Sequence, residues 1–76
     1  MAGWHPLRRR EFVRRLQVLG FSGPYHGTRH DFMVYGKKRQ TVPSNPEYSV
    51  PQVKFLLRQV EVVLGRKISA DDWERC

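Results

Sequence analysis

Arg29-His30-Asp31-Phe32-Met33-Val34-Tyr35, then Gly36-Lys37-Lys38, then Arg39-Gln40-Thr41-Val42 read as a strand, a turn and a returning strand. Pro43 closes this hairpin, which is the strongest β signal in the chain and fixes the centre of the fold. The spacing on either side is helical.

Before the hairpin, Phe12, Leu16 and Leu19 recur at four and three residues with Val13 beside them, which predicts a helix from about Leu7 to Leu19. Pro6 suits its first turn and Gly20 its C-terminal end. Arg8, Arg10, Arg14 and Arg15 fall mostly off the apolar face, so the helix is half core and half cationic surface. Phe21 to His26 breaks the pattern: Gly23-Pro24 marks a turn, and Tyr25-His26 is placed to begin a short edge strand. After the hairpin, Ser44 to Tyr48 reads as a loop. Ser49 then stands in capping-box spacing to Gln52, with Pro51 in the first turn of a second helix. Val53, Leu56, Leu57, Val60, Val63 and Leu64 form its apolar stripe, and Gly65 ends it. Phe55 and Val62 lie to one side and are read as core edge, with an exposed patch for a partner as the alternative. A last short turn begins at Ser69, with Asp71 and Asp72 at its start and Trp73 able to pack back.

Helix, two or three strands and helix predict an α+β domain of α-β-β-β-α order, with both helices on one face of a small antiparallel sheet. The 76 residues form one domain, its core from about residue 7 to 65 and a short tail from 66 to 76. So short a chain has little room for a deep cleft, so the working surface is expected on a sheet face, groove or hairpin. With 39% hydrophobic, 28% charged and 12% aromatic residues, the composition is that of a folded domain. Fourteen Lys and Arg stand against seven Asp and Glu, and a net charge of +7 attracts polyanions, nucleic acid first among them. An acidic protein partner stays open. Cys76 is the single cysteine, which excludes an internal disulfide framework and a cysteine metal site. Neither a signal-peptide core nor an apolar run of membrane-spanning length is present, so the expectation is a soluble, cytoplasmic protein without a membrane partner.

Cleaving RNA without a metal requires taking a proton from a 2′-hydroxyl and giving one to the leaving 5′-oxygen. Histidine titrates near neutrality and can do either. His30 is the candidate, with Arg29, Lys37, Lys38 and Arg39 as candidates to stabilise the charge that gathers on phosphorus. Asp31 adjoins His30, but strand neighbours face opposite ways, which makes it a poor choice for orienting that imidazole. His26, near a turn, and His5, near the terminus, are weaker candidates. Three histidines without paired carboxylates or cysteines give no metal site, and no cofactor or phosphate-cradling loop is indicated. Among the aromatics, Phe32 is assigned to the core, and Tyr25 and Tyr35 are the candidates for stacking on bases.

Taken in order, Leu16-Gln17-Val18-Leu19-Gly20-Phe21, Gly27-Thr28-Arg29-His30, Thr41-Val42-Pro43 and Ile68-Ser69-Ala70-Asp71-Asp72-Trp73 resemble the pattern of the HicA family of small toxins from prokaryotic toxin–antitoxin pairs. The resemblance runs from about Leu7 to Trp73. It implies a double-stranded-RNA-binding-domain-like fold, metal-independent cleavage of mRNA by one histidine, and neutralisation by a HicB-like antitoxin. On that reading His30 is catalytic and Gly27 permits the sharp entry into the strand. Arg8, Arg10, Arg14, Arg15, Arg29, Lys37, Lys38 and Arg39 would hold RNA phosphates. The competing reading is a non-catalytic module that binds RNA or a protein partner on the same scaffold, and a purely protein-binding domain using Phe55 and Val62 is a third.

Overall fold

In a computed structural model, which describes residues 3–76, the chain runs β1 (Leu7–Arg8), α1 (Arg9–Val18), β2 (Ser22–Tyr25), β3 (Asp31–Tyr35), β4 (Lys38–Val42), β5 (Glu47–Tyr48), α2 (Val50–Leu64) and α3 (Ala70–Arg75). β2, β3 and β4 form an antiparallel sheet in that order, and β1 pairs with β5 in a separate two-stranded ribbon. The predicted hairpin forms, with Met33 opposite Gln40 and Asp31 opposite Val42, and Lys38 joins the returning strand opposite Tyr35 instead of the turn. Alternation then sorts its side chains. Met33, Gln40 and Val42 are buried beneath the helices, whereas Phe32, Val34, Arg39 and Thr41 belong to the other face. This is the expected α+β arrangement.

α1 starts two residues later than its periodicity suggests. Leu7 and Arg8 are extended and pair with Tyr48 and Glu47, so Pro6 precedes a strand and Arg8 is the helix cap residue. The amide of Arg9 donates to the carbonyl of Pro46 at 3.0 Å, which ties the helix start to the loop after the hairpin. At the other end Phe21 N–H reaches the carbonyl of Leu16 and Gly20 N–H that of Gln17, a Schellman closure that the positive φ of Gly20 permits. Gly23-Pro24 lies inside β2 instead of making a turn, at an irregularity in the register between β2 and β3. The strand predicted from Arg29 begins at Asp31, leaving Arg29 and His30 in the preceding loop.

α2 forms as read. Ser49 Oγ accepts from the amide of Gln52, a cap typically worth about 1 kcal/mol, and Gly65 closes the helix in the left-handed region. Val53, Leu56, Leu57 and Val60 of α2 meet Phe12, Val13 and Leu16 of α1 over Met33 and Val42. The core reaches beyond residue 65, because Ile68 and Trp73 are buried in the same cluster. Tyr48 sits at its centre, edge-on to Phe12 at 5.5 Å, and its hydroxyl donates to the carbonyl of Pro43 at 2.7 Å. Burial pushes the Tyr48 phenol up to about 12. Gln40, polar and buried, is satisfied by donating to Gln59 Oε1 and to the carbonyl of Thr41. Phe55 and Val62 are not core edge: they are 61% and 72% exposed on the outer side of α2, where no other element among the described residues covers them. Among the described residues, no helix is long and apolar enough to cross a membrane.

Candidate active site

The loop from His26 to His30 joins β2 to β3 and is unusually tight. A Cβ added to Gly27 would lie 2.3 Å from the carbonyl oxygen of His30 and 3.3 Å from the Phe32 ring. The φ of Gly27 is not in the left-handed region, so glycine is needed here for close approach, not for a special dihedral angle. The end of the loop opens onto a shallow groove of about 370 Å³ lined by Arg9, Arg29, His30, Asp31, Val42 and Ser44. Three elements build this groove: the start of α1, the loop before β3, and the hairpin's exit. Tyr48, through Pro43, and Gln52, through a 3.2 Å hydrogen bond to Asn45, hold the exit loop in place.

Asp31 is the hub. One carboxylate oxygen accepts from Arg9 Nη2 at 2.5 Å and the other lies 3.0 Å from His26 Nδ1. The Arg9 and Asp31 side chains are each 28% exposed, whereas the His26 ring is 97% exposed. His30 is exposed and makes no side-chain hydrogen bond among the described residues. As expected, Asp31 makes no hydrogen bond to the His30 ring; the histidine it contacts is His26, a pairing that the sequence reading did not raise. Alternation could not show this, because His26 and His30 both lie outside the strand.

The cations predicted to serve the site separate into distinct groups. Arg29 lines the groove with His30. Arg9, absent from the predicted set, does so as well, and nothing local in the Arg8-Arg9-Arg10 run distinguishes it, since its partner is 22 residues away. Lys37 and Lys38 lie at the turn end of the hairpin, the opposite end from Asp31 and about 14 Å away at strand spacing, so they do not neighbour His30. Arg14 and Arg15 are engaged elsewhere. Both chelate Glu11, Arg14 also donates to the main-chain oxygen of Cys76, and Arg15 lies over the Trp73 ring. The Arg14 and Arg15 guanidinium groups hold the Glu11 carboxyl at about 2, well below the usual range. Arg8 and Arg10 are exposed and in no ion pair among the described residues.

Phe32 is on the open face of the sheet, not in the core. The Arg39 guanidinium lies 4.4 Å above its ring and Tyr25 packs at 5.7 Å on the strand beside it. Tyr35 is on the opposite face against Phe21, so only Tyr25 of the two predicted stacking residues joins this surface. No group of three or more His, Cys, Asp or Glu side chains among the described residues is arranged to hold a metal ion. Compared with protein-family models, with curated proteins and with solved structures, the chain matches none.

Proposed function

We propose that the chain is a metal-independent endoribonuclease of HicA type, the toxin of a type II toxin–antitoxin pair, acting in the cytoplasm on mRNA and held in check by a HicB-like antitoxin. The observation that carries this reading is an exposed imidazole, His30, lining one groove with the guanidinium groups of Arg9 and Arg29 in a chain of net charge +7. A neutral imidazole can take the proton of a 2′-hydroxyl. Arg29, exposed and in no ion pair among the described residues, offers the positive charge that a phosphorane needs, whereas the Arg9 guanidinium is held by Asp31. The small α+β architecture is compatible with the double-stranded-RNA-binding-domain-like scaffold that the resemblance implies. Incubating the purified protein and His30→Ala with mixed RNA in EDTA tests the proposal. Cleavage by the wild type that is lost in the variant, with RNA binding retained, is the expected result, and an equally active variant removes His30 from the mechanism.

One observation favours a second reading. Tyr25, Phe32 and Arg39 form a continuous stack on the uncovered sheet face, and aromatic rings interleaved with cations suit base stacking without chemistry. A non-catalytic RNA-binding module would retard RNA, lose affinity with salt, and leave the strand intact.

A further inference from the structure

RNA cleavage through a 2′-hydroxyl needs two proton transfers, one at the attacking oxygen and one at the leaving oxygen. His30 supplies one group. Resting on the nuclease reading above, we infer that His26 is the second: the general acid that protonates the leaving 5′-oxygen, with Asp31 as its positioning residue.

Three features of the loop support this. An ionised carboxylate only accepts hydrogen bonds, so Asp31 Oδ1, 3.0 Å from His26 Nδ1, fixes the proton on Nδ1 and leaves Nε2 as the working nitrogen. The ring is 97% exposed, so Nε2 is open to a substrate. Asp31 is itself anchored through its other oxygen by Arg9, which lines the groove with His30. The contact of Gly27 with the His30 carbonyl folds the loop so that both histidines leave it on either side of one close backbone approach. Asp31 is the charged group in contact with His26, and Arg9 is joined to that ring only through the other oxygen of Asp31.

In the proposed step His30 removes the 2′-hydroxyl proton and the 2′-oxygen bonds to phosphorus. The phosphorus–O5′ bond breaks with its electron pair going to O5′, which takes the proton from His26 Nε2. The products are a 2′,3′-cyclic phosphate and a 5′-hydroxyl, and the two rings return to their starting protonation by exchange with water.

The test compares an RNA substrate with its 5′-bridging phosphorothiolate analogue, whose thiolate departs without protonation. His26→Gln is expected to cleave ordinary RNA about 100-fold more slowly than wild type, the lower bound usual for losing an acid or base. On the thio substrate it should recover to near the wild-type rate. His30→Ala should be slow on both. On the wild-type protein, ¹⁵N imidazole spectra should show the Nδ1–H tautomer for neutral His26, and Asp31→Asn should abolish that preference. An equal penalty for His26→Gln on both substrates, or none on either, overturns the assignment while leaving the nuclease reading intact. A wild type that cleaves neither substrate in EDTA overturns both.

Discussion

Residue 27 lies so close to the carbonyl oxygen of His30 that a Cβ there would sit 2.3 Å away. Backbone, not a flexible side-chain end, is in the way, so any residue larger than glycine must displace the loop. Gly27→Ala is therefore expected to remain folded but to lose stability by about 1–3 kcal/mol, the usual cost of overpacking. On the proposed nuclease reading, cleavage should fall by a larger factor than stability accounts for, because a shift of about 1 Å in a reacting group can cost 100-fold. Urea midpoints and cleavage rates measured on one preparation check both parts. A fully active Gly27→Ala would show that the tight loop does not serve the chemistry.

The Glu11 carboxyl, held at about 2 by Arg14 and then Arg15, links stability to acid pH. Its folded value lies below the ordinary 4.5, so its contribution is fully present above pH 4.5 and is lost as pH falls from there toward 2. The side chain is one-third exposed, and solvent screening keeps the contribution to about 0.5–1 kcal/mol. Glu11→Gln should lower the thermal midpoint at pH 7 and make no difference near pH 2. Equal destabilisation at both pH values would mean that packing, and not charge, is what Glu11 contributes.

The hairpin was legible because its signals agree: Phe32, Met33, Val34 and Tyr35 make a short β-prone run, and Gly36 sits where the chain reverses. α2 was legible for the same reason, with Ser49, Gln52 and Gly65 marking its ends. The start of α1 was not, because two residues, Leu7 and Arg8, carry no period, and their conformation is set by a partner strand forty residues later. In the candidate site, His30 and Arg29 were legible from residue type, although they lie in the loop before the strand and not on it. Arg9 and the pairing of His26 with Asp31 were not, since both depend on how a loop closes. The exposure of Phe55 and Val62 was equally hidden, because helical phase shows which side they share but not whether anything covers it.

On the proposed RNA-binding reading, the arginines that are not already paired are the ones expected to hold phosphates. Arg8 and Arg10 are unengaged among the described residues, whereas Arg14 would have to leave Glu11 and the Cys76 main chain to reach a phosphate. Arg10→Gln should weaken RNA binding and reduce the log–log salt slope by about 0.7, the value for one phosphate contact on a single strand. Arg14→Gln should leave that slope unchanged. Titrations between 50 and 200 mM salt, a range over which such contacts respond strongly, separate the two. Equal losses of slope would mean that the Glu11 pairs open readily in the complex.

Phe55 and Val62 present apolar side chains to solvent on one side of α2, while Leu56 and Val60 of the same helix are buried. Their contributions to stability should differ accordingly. Phe55→Ser and Val62→Ser remove nothing from the core and should change unfolding free energy by no more than about 0.5 kcal/mol. Leu56→Ala removes a side chain that is 2% exposed and should cost about 2–5 kcal/mol, the transfer energy plus the cavity left behind. Urea denaturation of the three variants reads this directly. A loss above 1 kcal/mol for Phe55→Ser in dilute protein would mean that its ring is covered in solution, and a concentration-dependent midpoint would then show that a second copy covers it.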